Sequence, residues 1–208
     1  MPIRQIAKMG HPVLRMRAQE VPDPTDPEIA RLVEDMRDTL VDIAGAGIAA
    51  PQIYDPQRVI LYRIDAARIP EGSSMKPLPW TVMINPVLTM IGREKRLIWE
   101  RCLSLPGLHG KVPRHTKVHI SFQTLEGDTV AYDADGWHAM ILQHEYDHLD
   151  GILYPMRMDD ISLLSFNAEP GPLSEDVAND ENIDPMLQNL VASWTGRHLW
   201  LPETTGKL

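Results

Sequence analysis

The chain has 208 residues, 43% apolar and 24% charged, which suits one globular domain of ordinary size with a full hydrophobic core. A formal net charge of −9 argues against a general affinity for nucleic acid, because neutralising phosphates needs clustered Lys and Arg, and no nucleic-acid motif is visible. The one cysteine, Cys102, excludes an internal disulfide and leaves a buried small side chain, a nucleophile or a metal ligand as its roles.

Met1 to Gln5 show no basic segment leading into an apolar run, and no stretch approaches the length of a membrane span. A soluble, cytoplasmic protein without membrane contact is expected. Residues 1–24 read as an irregular arm with prolines at 2, 12, 22 and 24. Thr25-Asp26-Pro27-Glu28 then announces a helix, with Glu28 three residues after Thr25 as in a capping box. Ile29, Leu32, Val33, Met36, Leu40 and Ile43 keep one apolar face, which should pack on a sheet. Gly45 and Gly47 end the helix and open Gly45-Ala46-Gly47-Ile48-Ala49-Ala50-Pro51-Gln52. No Gly-Lys-Ser/Thr follows, so this is no phosphate loop; the small residues suggest backbone that comes close to something, or a plain helix stop.

Val59 to Ile64 reads as a strand, a loop follows from Pro70 to Pro79, and Thr81 to Met90 and Lys95 to Trp99 read as further strands. Cys102 is expected at a strand end before a Pro106-Gly107 turn, and Lys117 to Thr124 with Thr129 to Tyr132 as a hairpin around Glu126-Gly127-Asp128. A helix from about Asp135 stops at Gly151, a typical C-terminal glycine. Strands followed by a helix that packs across them give an α+β fold with mostly antiparallel sheet around that helix. Residues 1–164 are predicted as the catalytic domain. Residues 165–208 are predicted as an acidic linker plus a short helix, opened by Asp184-Pro185 and carrying Met186, Leu187, Leu190, Val191 and Trp194, which packs on the same domain.

The stretch Gln143-His144-Glu145-Tyr146-Asp147-His148-Leu149 carries the chemistry. Residues four apart stand one above the other on a helix, so His144 and His148 present two imidazoles to one point, with Glu145 one step round. That is a geometry for a divalent metal, with a carboxylate beside it to accept a proton from water. Trp137, Met140, Ile141, His144 and His148 recur at three- and four-residue steps, so the histidines continue an apolar stripe and should point inward. The alternative is a solvated helix that happens to carry two histidines.

Taken together, Gly45 to Gln52, Glu100-Arg101-Cys102-Leu103-Ser104 and Gln143 to Leu149 resemble the three motifs of the peptide deformylases, in the same order and spacing along residues 1 to about 160. Gly10-His11-Pro12-Val13-Leu14, Ile84-Asn85-Pro86 and Gly151-Ile152-Leu153-Tyr154 are also similar to the family. The resemblance implies a metal-dependent hydrolase that removes the formyl group from the N-terminal formyl-methionine of new polypeptides. It implies one divalent ion on Cys102, His144 and His148, with Fe(II) expected and Zn(II), Ni(II) or Co(II) satisfying the same donors. Glu145 is implied as general acid and base, with the Gln52 amide and the Leu103 backbone N–H stabilising the oxyanion. Ile48, Trp137, Met140 and Ile141 are implied to line the methionine pocket. Backbone near Gly47 and Leu103 is implied to pair with the peptide, with Glu100 and Arg101 beside it. Formyl-methionyl nascent peptides are the implied partners, with docking on the ribosome as a further one; nothing in the sequence sets the oligomeric state.

Two departures stand out. Arg101 occupies a position that in the family is commonly glycine, or serine in some members; arginine would be strained there at positive φ and harmless to the fold if extended, where it could reach over the cleft towards a substrate carbonyl or carboxylate. Met140 stands where an arginine is frequent. Two competing readings are an HExxH peptidase, which takes its third ligand from downstream of the helix, and a metal-bearing or ribosome-associated binding module.

Overall fold

The structure is a computed structural model that describes residues 3–69 and 76–169 and, of the C-terminal segment, residues 172, 173, 176, 177, 188, 191 and 192. Most of the predicted helix after Asp184 and of the linker before it lies outside the described residues.

Helix α1 spans Pro27–Asp42 and buries Ile29, Leu32, Val33, Met36 and Leu40, the predicted face. Its cap differs from the expected box. Asp26 is the N-cap and accepts from Glu28 N at 2.8 Å, while the Thr25 hydroxyl is spent on Asp23. The C-terminal reversal also differs, because Ala44, and neither glycine, takes the left-handed turn at φ +49°.

Five strands, β1 (Gly47–Ala49), β2 (Val59–Ile64), β3 (Leu78–Met90), β6 (Lys117–Gln123) and β7 (Thr129–Asp135), form one antiparallel sheet in the order β1-β2-β3-β6-β7. A second antiparallel sheet has the order β4-β5-β8, from β4 (Lys95–Cys102), β5 (Leu105–His115) and β8 (Ser165–Phe166). β2 is buried at every position but Arg63 because both of its faces are covered. Val59 and Leu61 meet α1, while Ile60 and Tyr62 join the cluster that contains Leu142 and Leu149 of α2 (Gly136–Leu149).

Helix α2 lies between the two sheets and is buried on more than the predicted stripe. Ala139, Leu142 and Leu149 pack on the five-stranded side, and Gln143, Glu145, Asp147 and His148 are buried as well. Gly151, at φ +72°, ends it, and Ile152 N donates to Asp147 O. The N-terminal arm laces these elements together: Ala7 N donates to Gln52 O, Met9 N to Ser104 O and Ala18 N to Leu149 O. The Asn85 side chain fastens the arm to β3 through Val21, accepting from its N at 2.8 Å and donating to its O at 2.9 Å.

The expected turn at Pro106-Gly107 is instead part of β5. The chain reverses at Leu103-Ser104, and Cys102 pairs with Leu105. This keeps Cys102 inside a strand pair, tied at both ends.

Candidate active site

β4, the turn after it, the Gly47 segment and α2 converge on a cleft of about 460 Å³. Cys102, His144 and His148 offer ligating atoms that all lie within 4.8 Å of one another, with Cys102 Sγ 3.3 Å from His148 Nε2. The two imidazoles meet edge to face with centroids 5.0 Å apart. One soft sulfur and two ring nitrogens at this spacing fit a borderline divalent cation.

Behind the donors lies an ion network that no motif announced. His144 Nδ1 is 2.7 Å from Glu100 Oε2, which directs the other ring nitrogen toward the cleft. Arg114 clamps both Glu100 oxygens, at 2.6 and 3.0 Å, and donates to Asp147 Oδ2 at 2.6 Å. Arg157 completes the chain through Asp147 Oδ1 at 2.8 Å. Tyr154 stacks on the His144 ring. Asp147 is within reach of sequence reading, since it sits between the two histidines on α2, and Tyr154 closes a stretch similar to the family; Arg114 and Arg157 carry no local signal.

The charges follow from these contacts. Burial raises the Glu100 carboxyl, but Arg114 and His144 overcome it and hold the pKa down at about 2. Burial likewise opposes the Cys102 thiolate, yet His148 and His144 bring that thiol well below its usual range. Glu145 is the exception: burial dominates and pushes its pKa up, as suits a group that must hold a proton and give it back. Its Oε2 is buried without a hydrogen-bond partner among the described residues.

Gln52 Oε1 accepts from Ala49 N at 2.9 Å, which turns Nε2 toward the donors, 3.5 Å from Cys102 Sγ and 3.3 Å from Ser104 Oγ. Gly47 passes so close to Glu145 that an added Cβ would stand 2.8 Å from Cδ. The small-residue stretch is therefore backbone pressed against the carboxylate, and the plain helix stop falls short of it.

Of the remaining predicted residues, Gly47, Glu100, Arg101, Leu103, Trp137, Met140 and Ile141 all line the cleft. Ile48 does not. It is fully buried under α1, on the other face of β1, so its side chain is core and the expected pocket contact is corrected. Glu100 reaches the cleft only as the carboxylate behind His144. Arg101 sits at the break in the β4–β5 register, between Glu100 opposite Gly110 and Cys102 opposite Leu105. Positive φ among the described non-glycine residues is confined to Ala44, Tyr54 and Asn85, so Arg101 is unstrained. Lys8 was not foreseen; it lines the cleft and donates to Leu103 O at 3.1 Å.

A family profile described as polypeptide deformylase matches residues 3–163. Peptide deformylase 1 of Nitrosomonas europaea is 41% identical over 160 residues, covering 76% of this chain and 89% of that protein. Peptide deformylase 1 of Prochlorococcus marinus is 42% identical over 171 residues, covering 81% and 88%. Among solved structures, the Met-Ala-Ser-bound class I type b peptide deformylase of Acinetobacter baumannii superposes with a TM-score of 0.68 at 33% identity, over 76% of this chain and all of that one. The actinonin complex of the Synechococcus elongatus enzyme gives 0.68 at 30% identity, over 77% and 81%. The chain belongs to the polypeptide deformylase family, metal-dependent hydrolases that remove the N-formyl group from new polypeptides.

Proposed function

We propose that Cys102, His144 and His148 hold the divalent ion, that Glu145 moves the proton, and that Gln52 and the Leu103 N–H receive the oxyanion. The convergence of one thiolate and two imidazoles beside a buried carboxylate carries this reading. A divalent ion held there would acidify water and polarise the formyl oxygen. Fe(II) is the ion proposed in the cell, with Zn(II), Ni(II) or Co(II) able to occupy the same donors.

Glu145 takes the proton from the attacking water and returns it to the departing amine. Its raised pKa narrows the gap between these two tasks. The negative charge that develops on the formyl oxygen meets the Gln52 amide, whose orientation is fixed in advance by Ala49 N. His144 is kept in one orientation by Glu100, which Arg114 holds in turn. Trp137, Met140 and Ile141 give the methionine side chain an apolar wall, and the backbone of Gly47 and of the β4 end pairs with the peptide as an added strand. Lys8 donates to the Leu103 carbonyl at 3.1 Å and Ser104 N to Cys102 Sγ at 3.4 Å, which fixes the turn that carries Leu103 beside the cleft. The substrates are formyl-methionyl chains emerging from the ribosome in the cytoplasm. No helix among the described residues is long and apolar enough to cross a membrane.

Loaded anaerobically with Fe(II), the protein should deformylate formyl-Met-Ala, and Glu145→Ala should abolish turnover while keeping the metal. Full activity in that variant would remove Glu145 from the chemistry. Cleavage of unformylated internal peptide bonds, with metal retained in Cys102→Ala, would favour the HExxH peptidase instead.

A further inference from the structure

The family match ends at residue 163, yet the chain goes on to build part of the cleft. β8 adds to β5 with Phe166 opposite Leu108 and Ser165 opposite His109, and Asn167 N donates to Gly107 O at 2.7 Å. Asn167 Oδ1 lies 3.0 Å from His109 Nδ1, and Asn167 lines the cleft together with Gly107 and Leu108. Further along, Asp176 Oδ2 accepts from Trp99 Nε1 and from Lys111 Nζ, both at 2.6 Å. Those two donors face each other across the β4–β5 pair. Leu173 and Val191 are buried against Trp99, with Leu163 and Val177 alongside. Trp99 meets His109 edge to face at 5.4 Å, so contacts run without a gap from Asp176 through Trp99 and His109 to Asn167. Trp99 and Asn167, at either end of the Trp99–His109–Asn167 run, both reach the cleft.

We infer that residues 165–167, with Leu173, Asp176 and Val177 behind them, are a working part of the substrate site. Asn167 is a specificity-determining residue for the peptide beyond its formyl-methionine, and Asp176 is the positioning residue that keeps the Trp99–Asn167 wall in place. This rests on reading the cleft as the formyl-peptide site. The strand order β4-β5-β8 explains why only the later part of a substrate is affected: β8 stands one strand further than β5 from β4, which carries Cys102. A substrate that ends soon after methionine does not extend to it.

The test compares formyl-Met-Ala with formyl-Met-Ala-Ser-Ala in the full-length Fe(II) enzyme. Asp176→Ala should raise KM for the tetrapeptide about fivefold, with kcat and the dipeptide constants within about twofold, because uniform binding is what is lost. Asp176→Glu, which keeps the acceptor, should recover most of the loss. Asn167→Ala should raise KM for the longer peptide more than for the shorter, and it decides the matter if Asp176→Ala folds poorly. Equal changes for both peptides, or none, would overturn the inference, since a merely structural tail does not discriminate by length. Failure of the wild-type enzyme to act on either peptide would instead overturn the proposed function.

Discussion

Substituting Gly47 with alanine tests the site at its tightest contact. The backbone there does not need glycine, because Gly47 is absent from the positive-φ positions, so any effect comes from the added methyl. That Cβ would stand 2.8 Å from Glu145 Cδ and 3.0 Å from Cγ, against the 3.4 Å at which ordinary contact begins. β1 is hydrogen-bonded to β2 and its neighbours are packed under α1, so the carboxylate is the partner that yields. A retreat on the order of 1 Å for a positioned catalytic group costs roughly 100-fold in rate, or about 2.7 kcal/mol on the barrier. The assay is kcat for formyl-Met-Ala at saturating peptide, with metal content and thermal midpoint measured beside it. Gly47→Ala should keep its metal and fold while losing about two orders of magnitude, no more than Glu145→Ala loses. A kcat within about threefold of wild type would show that Glu145 has room to spare, and the pressed-carboxylate argument would fail.

Gly151→Ala should cost about 2–4 kcal/mol in urea unfolding, from a left-handed residue and a Cβ placed against the Arg15 carbonyl. A loss below about 0.5 kcal/mol would mean that the arm does not pack on that turn. Arg114→Met strands Glu100 and Asp147 in the interior and should destabilise by about 3–5 kcal/mol while weakening metal retention; unchanged unfolding and metal content would refute the network. Burial lowers the His138 pKa from 6.5 to about 4, so the folded protein refuses a proton that the unfolded chain accepts. Stability should therefore fall as pH drops from about 6.5 towards 4, and His138→Gln should flatten that slope in urea titrations. Stripping the metal with a chelator should lower the thermal midpoint, whereas Cys102→Ala, once stripped, should respond little to added ion.

What could be read from the sequence was whatever a short window encodes. The α1 face, β2, the Gly127 hairpin and the α2 histidines follow from spacing alone. β5 was missed because Pro106, Gly107, Gly110 and Pro113 argue against a strand. Its outer edge meets β8 only at Leu108 and His109, and an edge strand tolerates proline. Ile48 was misplaced for a related reason: in a three-residue strand covered on both sides, alternation decides the face, and the motif says nothing about it. The Asp176 contacts with Trp99 and Lys111 span 77 and 65 residues, and no periodicity links them. Arg101 shows the limit from the other side, because an unusual residue at a motif position leaves the backbone unstrained once its φ is not positive.

The network behind the histidines also sets the charge that the proposed ion would meet. Glu100, Asp147, Cys102 and Glu145 are acidic groups buried together, and among the described residues Arg114 pairs with Glu100 and Asp147 while Arg157 pairs with Asp147. Burial holds Glu145 toward its protonated form, so with Glu100, Asp147 and Cys102 ionised and both imidazoles neutral a net negative charge remains in a medium where unmatched charge costs several kcal/mol. A divalent cation at the proposed Cys102–His144–His148 site would offset that charge. Without the ion, protons must serve, which is why burial fails to lower His144 and Glu100 with Cys102 carry its pKa well above the usual imidazole range. Metal and proton would thus compete for the same donors, and Arg114, by holding Glu100 against His144, bears on how strongly each is held.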